Sequence, residues 1–307
     1  MILCCGEALI DMVPGLSAQG EACFLPKAGG AVFNTAIALA RLGSDTSLYT
    51  GVSDDLFGTL LTHELEASNV GTSHLLTSSA PSTLAFVELT NGNATYTFYA
   101  KNTADTSLTP ADLPTAPDAK ALFFGGISLC TDPTASTLQG FMRDRAQDHL
   151  TMIDPNIRPA FIKDEAAYRA RLQDMITLAD ILKISDEDLN WLAAGSTDIA
   201  TQLATLTDGV PKLAFVTKGA DGAVAFHGTS QIAETAAIPV TVADTIGAGD
   251  TFNAGLLHVL DRHKALTKSF AHTPDPEIVQ AALALATRSA GITVSRTGAN
   301  PPWAREL

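Results

Sequence analysis

Residues 244–255 read Asp-Thr-Ile-Gly-Ala-Gly-Asp-Thr-Phe-Asn-Ala-Gly, a run of small residues with one carboxylate where a helix should begin. Gly247, Ala248 and Gly249 permit a sharp turn and leave backbone N–H groups uncovered. The helix that follows aims its positive end at the same point, and both features suit a phosphate. Asp250 falls in the first turn, where a base could take the proton of a hydroxyl attacking that phosphate. The chemistry indicated is phosphoryl transfer. A dinucleotide fingerprint would need glycine where Phe252 stands, and a Walker loop would need a Gly-Lys pair, which the chain lacks. The bland alternative is a glycine turn capped by an acid, as in many α/β connections.

Other clusters could serve the same chemistry. Asp11 ends an early apolar run, and a ligand beyond the carboxyl ends of parallel strands would meet it there. Gly29 and Gly30 open a helix on which Asn34 sits one turn in, offering a donor and an acceptor to a polyhydroxyl compound. A strand-ending acid and a capping loop would look alike. Asp154-Pro155-Asn156-Ile157-Arg158-Pro159 follows another strand and suits magnesium-phosphate or sugar contacts, or is a proline-stiffened turn. In Lys183-Ile184-Ser185-Asp186-Glu187-Asp188 the lysine could reach a nucleotide phosphate and the acids could hold magnesium through water. The simpler reading is an N-cap serine with acids that favour the helix dipole. Thr217-Lys218-Gly219-Ala220-Asp221-Gly222 is either a plain hairpin turn or a nucleotide-facing loop. The seven histidines show no metal-ligand spacing, and no Gly-x-Ser-x-Gly elbow occurs.

These residues need a scaffold, and its rhythm is visible. Apolar runs predict a buried strand over 2–10 and further strands at 46–50, 121–125, 150–153, 181–184 and 213–217. Helical patterns fall at 31–42, 55–68, 135–148, 165–178, 186–194, 199–207, 249–263 and 276–290. Such alternation implies a mainly parallel sheet covered on both faces. Residues 83–99 around Asn91-Gly92-Asn93 read as a hairpin, and 222–234 as a second one. The stretches 12–28 and 83–100 break the alternation and are read as insertions forming a small β lid.

Composition narrows the class. The chain has 307 residues, 46% hydrophobic and 17% charged, an ordinary packed globule with an ample core. A net charge of −14 offers no field to attract nucleic acid or an anionic membrane. Cys4, Cys5, Cys23 and Cys130 form no paired motif and are expected to be reduced, in a cytoplasmic protein. Glu7 and Asp11 interrupt the first apolar run, so neither a signal peptide nor a membrane span is expected.

Taken in order, the pieces resemble the ribokinase-like (PfkB) carbohydrate kinases, bacterial fructokinases above all, from residue 2 to about 302. One family signature matches Gly29-Gly30-Ala31-Val32-Phe33-Asn34, continuing through Ala36 to Leu42-Gly43, and the other matches Asp244 through Phe252. Gly51-Val52-Ser53-Asp54-Asp55-Leu56-Phe57-Gly58 and Arg296-Thr297-Gly298-Ala299 add family-like intervals. The resemblance implies a single three-layer α/β/α domain with a β lid, ATP as donor, Mg2+ as its companion, and a sugar as acceptor. It implies Asp250 as base and Gly247, Ala248 and Gly249 as an anion hole. Asp11, Gly29, Gly30, Asn34, Phe98 and Arg158 would hold the sugar, and Lys183, Ser185, Lys218, Gly219 and Gly222 the nucleotide. Asp244, Ile246 and Gly298 would hold a monovalent cation such as K+. Two departures stand out: Ser185 to Asp188 replaces a common Asn-x-x-Glu, and Ala100 replaces an arginine that would meet a substrate carboxylate. The expected reaction is phosphorylation of fructose at its 6-hydroxyl. 2-Keto-3-deoxygluconate, ribose or a nucleoside are other acceptors, and a sugar sensor on the same fold is the non-enzymatic alternative. The insertions present edges that a second subunit could pair with, so a homodimer through the lid is a further expectation.

Overall fold

The computed structural model describes residues 1–90, 93–114, 118–196, 198–210 and 212–307. In chain order, β1 (Ile2–Cys5) is followed by β2 (Leu9–Leu16), β3 (Ala22–Gly29), α1 (Ala31–Arg41), β4 (Thr46–Ser53), α2 (Leu56–Ala67) and β5 (Leu75–Ser78). Next come β6 (Leu84–Thr90), β7 (Asn93–Tyr99), β8 (Ala121–Gly125), α3 (Thr134–Arg145), β9 (Leu150–Asp154), α4 (Glu165–Leu178) and β10 (Ile181–Ser185). The chain continues through α5 (Asp186–Leu192), α6 (Ile199–Leu206), β11 (Leu213–Thr217), β12 (Ala223–His227) and β13 (Ser230–Thr235). It closes with α7 (Ala248–Arg262), α8 (Lys268–His272) and α9 (Pro276–Val294).

Among the described residues, nine strands form one sheet in the order β13-β12-β11-β10-β9-β8-β1-β4-β5. Its body is parallel, and β12 and β13 add an antiparallel edge. Every residue of β1 is buried, because helices cover both faces. Ile2 and Cys4 pack on the side of α1, α2, α7 and α9, whereas Leu3 and Cys5 pack on the side of α3 to α6. That two-residue alternation gives the three-layer α/β/α order. Gly255 lets α7 approach α9 closely: a Cβ there would fall 2.5 Å from the Ala286 Cα.

The four remaining strands form a separate sheet in the order β3-β2-β6-β7, the expected lid. Its hairpin β6–β7 pairs antiparallel from Leu84↔Tyr99 to Thr90↔Asn93, while the expected turn residues Asn91 and Gly92 lie outside the described residues. The single strand expected over 2–10 is two strands. Gly6 breaks it, since a Cβ there would collide with Val32, and the chain leaves the core sheet for the lid. The segment 12–28, expected as a β insertion, is most of a regular hairpin, β2 against β3. The strand β5 and the short helix α8 carry no sequence pattern strong enough to have been anticipated.

Candidate active site

Parallel sheets bind ligands beyond the carboxyl ends of their strands, where connections leave in opposite directions. Here β1 lies between β8 and β4, and the chain beyond β1, β8 and β9 surrounds a cavity of about 620 Å³. Asp11, Gly30, Asn34, Phe98, Arg158 and Asp250 all line it, with Ile246, Gly247 and Gly249 at one end. Residues far apart in the sequence thus meet in one space of small-molecule size. Gly29 ends β3 just beneath Asp11, whose carboxylate occupies the place a Cβ at Gly29 would need.

Asp11 itself requires a correction. It does not end a core strand but sits within β2 of the lid, opposite Lys27 and beside Ala85. The lid sheet, not the core, carries this carboxylate over the cavity. Burial pushes its pKa up to about 6. Phe98 comes from the lid strand β7, and its ring lies against Phe161 of the short helix Pro159–Phe161, centroids 3.9 Å apart. Arg158 is exposed, and its guanidinium donates to the Ile157 carbonyl at 3.0 Å.

The helix mouth is built as its residue types require. Gly247 caps α7 in the left-handed region at φ 78°, and a Cβ there would fall 2.8 Å from that of Ala299. Ala248 and Gly249 follow as the first helical residues, and Asp250 stands in the first turn. Asp250 is only 6% exposed, and its Oδ2 accepts from Asn34 Nδ2 at 2.9 Å. Burial drives its pKa up to about 7; the Asn34 bond and the nearby Lys183 and Arg158 pull it down, and Asp154 pushes it up. A carboxylate poised there can accept a proton near neutrality.

Beneath the mouth is a cluster whose members the sequence did not link. Asp154 Oδ2 accepts from Lys183 Nζ at 2.9 Å and from Asn253 Nδ2 at 2.7 Å, with all three side chains buried. Lys183 therefore does not extend outward as expected. It stays under the glycine turn, its ammonium 3.2 Å from where a Cβ of Gly249 would stand. Asp154 Oδ1 has no hydrogen-bond partner within the protein. Asp188 faces the same negative neighbourhood, and burial together with Asp154 raises its pKa.

The remaining expected positions do not line the cavity. Ser185 caps α5, accepting from Asp188 N at 3.0 Å. It pairs with Thr217 across adjacent strand ends, which places the turn at Lys218 and Gly219 alongside. Gly222 is buried and serves packing, since a Cβ there would collide with the Thr235 carbonyl oxygen. Asp244 ties two loops together, its oxygens accepting from Ile246 N at 3.0 Å and Gly298 N at 2.9 Å. Sequence reasoning overlooked Glu7 and Phe161, which also line the cavity, and Asn253 beneath it, while Asn156 lines it from the Asp154–Pro159 stretch singled out for sugar or phosphate contacts. Glu7 left one trace: a charge interrupting an otherwise apolar run.

A carboxylate whose proton affinity is raised by burial, beside the amides of a helix mouth, is the working arrangement of a phosphotransferase that acts on a hydroxyl group. The pfkB family carbohydrate kinase pattern matches residues 1–305, and the chain belongs to that family. A fructokinase of Rhizobium leguminosarum bv. trifolii is 47% identical over 272 residues, covering 87% of this chain and 82% of the relative. Among solved structures, a Xylella fastidiosa fructokinase with bound ATP superposes with a TM-score of 0.87 at 31% identity, covering 97% of this chain and 93% of that one. A double mutant of a Vibrio cholerae O395 fructokinase, bound to fructose, ADP and a potassium ion, gives 0.84 at 26% identity, covering 97% and 93%. No helix among the described residues is long and apolar enough to cross a membrane.

Proposed function

We propose that this carbohydrate kinase transfers the γ-phosphate of ATP to the 6-hydroxyl of fructose, working as one domain with its lid in the cytoplasm. The observation that carries the reading is Asp250: buried, bonded to Asn34, and in the same first turn as the bare amides of Gly247 and Gly249, while the Ala248 amide donates to the Thr245 carbonyl at 3.3 Å. Asp11, Gly30 and Asn34 bind the sugar hydroxyls, Gly29 gives Asp11 its room, and Phe98 and Arg158 close the far wall. Asp250 takes the hydroxyl proton as the oxygen attacks phosphorus, and the helix mouth stabilises charge on the transferring group. Lys183 adds positive charge beneath it. Lys218, Gly219 and Ser185 border the nucleotide at the neighbouring strand ends, and the buried Gly222 shapes the turn that carries Lys218 and Gly219.

No group of three or more acidic, histidine or cysteine side chains among the described residues could hold a metal alone. The orphaned Asp154 Oδ1 and the nearby Asp188 nevertheless fit a cation that is carried largely by phosphate and water. Mg2+ in that position would neutralise phosphate charge. Asp244, Ile246 and Gly298 form the candidate monovalent-cation loop, with K+ the expected occupant. The lid exposes Leu16, Phe24, Leu25 and Tyr99, an apolar surface that supports a homodimer through the lid.

A coupled ADP-release screen over fructose, 2-keto-3-deoxygluconate, ribose and adenosine tests the reading, with and without K+. Fructose should give the highest kcat/KM. Turnover of another acceptor alone would refute the sugar assignment, and ATP consumption with none of them would favour a sensor.

A further inference from the structure

Phosphoryl transfer as described makes no use of the other carboxylate in the cavity wall. Glu7 lies in the break between β1 and β2 and is 1% exposed. Its Oε1 accepts from Ala31 N at 2.9 Å, the first amide of α1, and its Oε2 accepts from Ser128 N at 3.1 Å, just beyond β8. Glycines make room on both sides. A Cβ at Gly126, where φ is +69°, would overlap Oε1, and one at Gly30, where φ is +110°, would fall 3.0 Å from the Glu7 carbonyl oxygen. Burial raises the Glu7 pKa, while the bonds from Ser128 and Ala31 draw it back.

A buried carboxylate is expensive unless fixed donors meet it, and two amides with the positive end of α1 meet this one. The consequence reaches the ligand groups directly. Asn34 N donates to Gly30 O at 2.8 Å, and Asn34 Nδ2 holds Asp250. Any shift in how α1 begins is therefore passed to both.

We propose that Glu7 is a positioning residue for sugar binding: its carboxylate locks the entry of α1 against the turn after β8, and so sets Gly30 and Asn34 relative to Asp250. The inference rests on the fructose reading above. Glu7→Gln keeps the shape but replaces one acceptor with an NH2 group, which must face an N–H and leave both unsatisfied.

The test compares steady-state kinetics of wild type, Glu7→Gln and Ala31→Pro, with fructose-induced thermal shifts measured without nucleotide. For Glu7→Gln the fructose KM should rise about tenfold, with kcat within about fivefold and the ATP KM within about twofold. Ala31→Pro deletes one of the two donors at a helical position that tolerates proline, and should raise the fructose KM by about threefold or more. The fructose thermal shift should shrink in both. An unchanged fructose KM in folded Glu7→Gln, or an ATP KM rising in step with it, overturns the proposal. Should Glu7→Gln not fold, an unchanged fructose KM in Ala31→Pro overturns it alone. A wild-type protein inert towards fructose refutes the substrate reading instead, and the same comparison then runs on the acceptor it does use.

Discussion

The two halves of the crevice are built on different principles. Around the sugar cavity the polar groups are buried and already engaged: Asp250 with Asn34, Glu7 with two amides, Asp154 with Lys183 and Asn253. Along the ends of β10 and β11 the groups are looser. The turn beginning at Gly219 is exposed, from Gly219 through Asp221. A neutral sugar brings no charge of its own, so the protein must supply both orientation and a tuned base. On the proposed reading a nucleotide there would bring its own charge and a large base, and an open shelf that admits and releases it would suffice.

The comparison breaks most readily at Asp250. Asp250→Asn should cut kcat by roughly 10²–10⁴ while sugar affinity, measured by calorimetry, stays nearly intact. Near-full turnover would remove Asp250 from the chemistry. The same variant carries a stability signature. Because the folded pKa is raised from 3.8 to about 7, the Asp250 contribution to stability is fully present below about 4 and lost as pH rises through about 7. Asp250→Asn should therefore melt higher than wild type at pH 8, by about 5 °C, and show little difference at pH 4–5.

A smaller effect comes from the cluster beneath the mouth. Lys183→Met leaves Asp154 buried without its cation, at a cost of about 3–5 kcal/mol in denaturant unfolding. Since Lys183 also holds the Asp250 pKa down, the acid limb of its pH–rate profile should move to higher pH. A limb that stays in place would disconnect the two groups. In wild type itself, kcat/KM for fructose should climb about tenfold per pH unit below about 7 and level off above it, as Asp250 becomes the available base. A flat profile from pH 5 to 8 would contradict that assignment.

The gentlest test sharpens the division between halves. Lys218→Ala, at the rim of the β11 turn, should raise the ATP KM about two- to fivefold and leave the fructose KM unchanged. An equal rise in both would show the halves to be coupled.

Legibility in the sequence followed the same division of labour. The Gly247–Asp250 mouth was readable because a left-handed cap, uncovered amides and a first-turn acid each demand particular residue types in consecutive positions. The alternation of strands and helices was readable because burial of both sheet faces leaves continuous apolar runs. Gly6 and Glu7 were harder. One glycine within an apolar run gives no sign that the chain changes sheets, and one acid there reads as an interruption. Asp154, Lys183 and Asn253 sit in three separate segments, with nothing local to say that they touch.

Sequence alone determined the class of chemistry, the layered α/β plan and the lid, because each is written in short-range patterns of size, polarity and turn type. Tertiary structure decided which sheet carries Asp11, that Lys183 is a buried counter-ion under the helix mouth, and that Glu7 joins the start of α1 to the turn after β8 in the cavity wall. Those outcomes depend on contacts between distant segments and on desolvation, and a residue's order in the chain encodes neither.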